Sequence, residues 1–116
     1  MKKPKETLES EIKRFIIRCH KEIFGKGPEE TWVKINHNLA TYYCANILTE
    51  LEEFFIKQDD EKDVAYLRKR AFALIKNRLV KELEQITEAE VLEVLQTVSI
   101  NSKSVIGVIH FKINIE

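Results

Sequence analysis

DEKDVAYLRKRAFALIKNRLVKELEQI, residues 60–86, is the stretch whose reading decides the fold. It contains no Gly or Pro, and Val64, Leu67, Ala71, Leu74, Ile75, Leu79, Leu83 and Ile86 recur at steps of three and four. That spacing predicts one apolar side of a long helix. Asp59 or Asp60 is suited to cap its start, and the acidic first turn suits the positive end of the helix dipole. Unbroken, the helix would be roughly 40 Å long at about 1.5 Å per residue. A compact domain of this length has a radius of gyration of only ~13 Å. The helix is therefore expected to bend, or to reach past its own core towards a partner.

Working outward, residues 5–24 read as a first helix with a stripe of Leu8, Ile12, Phe15, Ile16, Cys19 and Ile23. Ile17 and Phe24 widen that stripe. Gly25-Lys26-Gly27-Pro28 then stops it, Gly being favoured just past a helix end and Pro unable to continue one. Thr31–Asn36 and Leu39–Ala45 read as strands joined at His37-Asn38, Asn tolerating positive φ. This register puts Val33 and Ile35 on one face with Tyr42 and Ala40, and Trp32 beside Tyr43 on the other. The second face is too aromatic for plain solvent, so a helix or another subunit is expected over it. Thr49-Glu50-Leu51-Glu52 is a capping box that opens a short helix anchored by Leu51, Phe54 and Phe55. A break is expected near Gln58-Asp59. Glu90–Ile100 and Val105–Ile115 form a second hairpin around residues 101–104, and the apolar run Val105–Ile109 predicts a central strand covered on both faces for part of its length. The expected fold is thus α+β, in the order αββ-α-α-ββ: an antiparallel sheet of two hairpins packed against helices.

With 116 residues the chain has room for one domain, 1–116, and one core. Its 19 basic and 19 acidic residues cancel, so no global charge recruits nucleic acid or an anionic membrane. No apolar run is long enough to span a bilayer. The basic start MKKPKETLESE leads straight into charged helix and reads as no signal peptide. The cytoplasm is the expected compartment, and Cys19 and Cys44 fit it as buried, reduced thiols.

The chemistry-bearing residues form no constellation. His20, His37 and His110 fall on a helix, a turn and a strand, and Cys19 and His20 point about 100° apart on their helix, poorly placed to share a metal. The glycine loop follows a helix instead of opening one, which argues for termination over phosphate binding. The acidic residues from Glu50 to Asp63, Glu52 and Glu53 among them, lack a Ca²⁺-loop spacing and read as solvated. Arg68-Lys69-Arg70 with Lys76 and Arg78 is the one basic cluster, also expected to be solvated. No catalytic, cofactor-binding or metal-binding residue is expected, and the chain reads as no enzyme. Trp32, Tyr43, Arg68, Lys69 and Arg70 are the candidate interaction surface.

The order of elements resembles the small bacterial MpsC-like family. The likeness rests on Gly25-Lys26-Gly27-Pro28 leading into a hairpin, on Ile47-Leu48-Thr49 opening the helical section, and on Ser99–Ser104 before a closing apolar strand. It runs from about Leu8 to Phe111. The family's name implies association with a sodium- or bicarbonate-linked, membrane potential-generating system, and implies no catalytic residue. Two functions follow as expectations. The first is a non-catalytic accessory protein, a homodimer without a cofactor, beside subunits of a membrane transport complex and peripheral to the membrane. The second is a small ligand- or nucleic-acid-binding regulator using Arg68, Lys69, Arg70 and exposed aromatics, which the neutral charge disfavours.

Overall fold

The two predicted hairpins join edge to edge through their inner strands. In the computed structural model, which describes residues 3–116, the chain runs α1 (Lys5–Phe24), β1 (Glu30–Asn36), β2 (Leu39–Ala45), α2 (Glu50–Lys57), α3 (Glu61–Thr87), β3 (Val91–Ser99) and β4 (Ser104–Phe111). Met1 and Lys2, which begin the basic start, lie outside the described residues. The sheet order is β1-β2-β4-β3, and every pairing is antiparallel. This is the expected α+β architecture.

Local chemistry sets the element ends. Gly25 takes the left-handed conformation at φ 73° and donates its N–H to Lys21 O, closing α1. Thr49 and Glu52 form the expected reciprocal capping box at the start of α2. The break between α2 and α3 falls at Asp59, whose φ is 62°, and the Asp60 side chain makes no capping bond. In the first hairpin Asn36 pairs with Leu39, as predicted, but the positive φ of 59° belongs to His37 and not to Asn38. Asn38 instead ties the turn to the end of β4, accepting from Phe111 N and donating to Phe111 O.

α1 and α3 pack on one face of the sheet. Leu8, Ile12, Phe15 and Cys19 of α1 and Leu79 and Leu83 of α3 are buried there, with Val33, Ile35, Tyr42, Val94, Ile109 and Phe111 from the strands. Both edge strands are also tied to helices. Glu9 of α1 accepts the Ile35 N–H of β1, and Glu84 of α3 accepts the Val91 N–H of β3. Each bond satisfies an edge donor that would otherwise invite another strand.

The residue β4 most needs to be small is Gly107. Tyr42, its register partner, lays its ring across it: a Cβ at position 107 would stand 2.0 Å from Tyr42 Cζ. The ring thereby crosses β4 to reach Gln96 on β3, with Tyr42 Oη donating to Oε1 at 2.7 Å.

Four expectations need correction. The buried line of α3 is Val64, Arg68, Leu79 and Leu83, with Phe72 and Ile75 half-buried between them. Leu67 and Leu74 sit one step around the helix, 52% and 70% exposed, because Arg68 and Phe72 take the places nearest the core. On α2, Leu51 and Phe54 are exposed, only Phe55 of the three expected anchors packs partly against the core, and the buried residue is Glu52. Lastly, β4 ends at Phe111. Ile113 is exposed, while Ile115 is buried and donates its N–H to His37 O. The strand is central, as expected, but covered on one face only: Ile106 is exposed and Val105 and Ile109 are buried. α3 continues unbroken for 27 residues, and part of its surplus length is covered by α2 packing against it.

Candidate interaction surface and the buried Arg68 cluster

No helix among the described residues packs on the outer face of the sheet. Cross-strand register arranges it in rows: Trp32, Tyr43, Ile106 and Thr97; then Lys34, Thr41, Val108 and Leu95; then Leu39, His110 and Glu93. Trp32 stacks on Tyr43 with ring centroids 5.8 Å apart and planes 28° apart. Trp32, Leu39, Ile106 and Leu95 are all among the exposed large hydrophobic residues. The two charges of these rows, Lys34 on β1 and Glu93 on β3, stand on opposite edge strands and have opposite signs. Glu93 is also reached by Lys76 of α3 at 2.5 Å.

Of the basic half of the predicted surface, Lys69 and Arg70 are exposed and Arg68 is not. Arg68 is 4% exposed and faces inward, so it is no part of a solvated patch. Its Nε donates to Glu52 Oε2 at 2.7 Å and its Nη2 to Glu52 Oε1 at 2.6 Å, a two-pronged pair. Nη2 also donates to Ile47 O, and Nη1 to His20 Nε2. The guanidinium lies over Phe24, 3.6 Å from the ring centroid. His20 completes the cluster by donating its Nδ1 proton to Lys26 O at 2.5 Å. One side chain of α3 thus binds the end of α1, the loop before α2, and α2 itself. Lys69 and Arg70 are exposed on α3, without an ion pair among the described residues. They lie on the helical layer, away from Trp32 and Tyr43 on the open side of the sheet, so the structure does not bring the five residues together.

Electrostatics follow from this packing. Burial alone would push the Glu52 carboxyl up, but the bonds from Arg68 and from the Thr49 N–H outweigh it and hold the group below its ordinary value. Burial pushes the His20 imidazole down, against the pull of the Lys26 carbonyl and with the help of the Arg68 charge. Cys19 and Cys44 are buried and unbridged; burial raises both thiols, Cys19 to about 11. Burial raises the Tyr42 hydroxyl as well.

Between α1, α3 and the sheet lies a mostly apolar cavity of about 80 Å³, with Cys19, Tyr42, Phe72 and Gln96 among its lining. Small-molecule sites occupy about 300–1,000 Å³, so this void is too small to hold an ordinary metabolite. Among the described residues no group of three His, Cys, Asp or Glu side chains could hold a metal ion. No helix among them is long and apolar enough to cross a membrane.

Reading the sequence missed Glu52 and Arg68 as a pair. One signal was present: Arg68 stands in the line 64-68-72-75-79-83, and a cation within an apolar stripe requires an anion nearby.

Among known proteins, a family described as Na+-translocating membrane potential-generating system (MpsC) matches residues 4–113. The chain belongs to that family. No curated protein and no solved structure matches it.

Proposed function

We propose, with membership of the MpsC family as the premise, that this chain is a non-catalytic accessory protein of a Na+-translocating, membrane potential-generating system. It works as a homodimer in the cytoplasm, peripheral to the membrane. The observation that carries this reading is the uncovered sheet face. An apolar patch larger than a few hundred Å² is uncommon on a monomer and marks an interaction site. Four strands about 4.8 Å apart and seven residues long give a face of roughly 19 by 24 Å.

The charges on that face suit a second copy. A two-fold axis running along the strands lays β1 of one protomer over β3 of the other. Lys34 then approaches Glu93 of the partner subunit, and the mutual contact is made twice, as two-fold closure requires. An axis across the strands would instead oppose Lys34 to its own equivalent. Face-to-face sheets pack about 10 Å apart, so Trp32, Tyr43 and Ile106 would fill the space between them.

Affinity purification from the native cell tests the reading. Tagged chain is expected to bring down untagged copies of itself together with membrane-embedded transport subunits at moderate salt. Recovery of nucleic acid in a salt-sensitive complex, without membrane subunits, would contradict it.

A further inference from the structure

We propose that His20 is an acid-responsive pin: its protonation releases the end of α1 and the 25–28 loop from the α2–α3 layer. The geometry fixes the imidazole in one form. Nδ1 must carry the proton to donate to Lys26 O, and Nε2 must be bare to accept from Arg68 Nη1, 2.7 Å away. Every element around the ring is accounted for. α1 supplies Phe24, with ring centroids 4.8 Å apart, and α3 supplies Arg68. The 25–28 loop supplies the Lys26 carbonyl, while the Lys26 ammonium is drawn off to Leu48 O. β2 contributes Cys44, which with His20 lines the cavity between α1, α3 and the sheet and is neutral because burial raises its pKa. α2 supplies Glu52, the one acid facing the cluster among the described residues, and both its oxygens are taken by Arg68.

An added proton on Nε2 would aim an N–H at an N–H and set two cations side by side. Arg68 cannot yield, being held by Glu52 and by Ile47 O. His20 is only half-buried, so the cheaper response is for the ring to swing towards water. That movement removes the donor from Lys26 O and the ring neighbour from Phe24. Burial already lowers the His20 pKa from its ordinary 6.5, in keeping with a neutral ring in the closed form. The sign follows: the pin contributes stability fully above about pH 6.5 and loses it as pH falls towards the lowered value. The inference rests on the fold alone, not on the family or the dimer.

Hydrogen exchange tests it, with protection corrected for the intrinsic effect of pH. Between about pH 7.5 and 5.5, protection in the 20–28 segment should fall, by about tenfold for each pH unit over which the folded ring resists a proton that a free ring would take. His37→Gln and His110→Gln should show the same fall. His20→Gln, which keeps an acceptor for Arg68 and cannot be charged, should show none. The same fall in His20→Gln, or none in the wild type, would overturn the proposal. If His20→Gln does not fold, the wild-type ring can be titrated by NMR. A His20 midpoint below 6.5 that coincides with the change in protection supports the pin, and a midpoint at or above 6.5 overturns it.

Discussion

Arg68 and Glu52 meet side by side inside the protein, their side chains 3% and 4% exposed, in a pair that joins α3 to the first turn of α2. The arrangement is local at one end and distant at the other. Glu52 closes the capping box at N3, so Thr49 helps orient the carboxylate that Arg68 meets. Removing one partner should hurt more than removing both, because the survivor is left as a buried charge. Arg68→Met is expected to cost about 3–5 kcal/mol in chemical denaturation. Adding Glu52→Gln, which keeps the capping acceptor and drops the charge, should recover part of that loss. Were Arg68→Met as stable as the wild type, the pair would not hold the layers together.

The same carboxylate gives the protein an acid limb. Its folded pKa lies below the ordinary 4.5, so the unfolded chain takes up the proton first. Stability is therefore present above about pH 4.5 and lost as pH falls through the lowered value. Urea unfolding measured from pH 6 to 3 should show this loss in the wild type. The Arg68→Met/Glu52→Gln double variant should show a smaller one, and equal slopes would contradict the assignment.

Gly107 should tolerate no Cβ while Tyr42 keeps its place. Gly107→Ala forces the Tyr42 ring off the strand and costs its bond to Gln96. Overpacking of this kind destabilises by about 1–3 kcal/mol. Thermal unfolding should place Gly107→Ala well below the wild type, and Tyr42→Leu should relieve much of the difference in the double variant. An unchanged midpoint for Gly107→Ala alone would show that the ring does not lie there.

Leucines on α3 should separate by position. Leu83→Ala is expected to cost about 2–5 kcal/mol, and Leu74→Ala, on the helical layer away from the open sheet face, to stay within about 0.5 kcal/mol. Denaturation midpoints for the two variants check this, and equal losses would restore Leu74 to the core.

How much of this was legible depends on how locally each feature is encoded. The ends of α1, the capping box, the break at Gln58-Asp59 and the Asn36–Leu39 register were readable because neighbours in sequence determine them. The facing of Trp32 and Tyr43 followed from that register. The buried face of α3 lies one step around from the one hydrophobicity alone marks, which puts Leu67 and Leu74 in the core and Arg68 on the surface. Only the fold reveals Glu52, sixteen residues earlier, as the charge that lets Arg68 go inside. Leu51 and Phe54 were misplaced for the related reason that Glu52 takes the buried side of α2. The two-sided burial expected for Val105–Ile109 also failed. A continuous apolar run suits burial on both faces, and here the second face is open within the chain.

That open face is the centre of the account, and sedimentation equilibrium of the intact chain at micromolar concentration tests it most directly. A species of twice the 13.6 kDa chain mass is expected, dissociated by Trp32→Glu, which would bury a carboxylate against the partner's sheet. A single species of 13.6 kDa across the concentration range would contradict it.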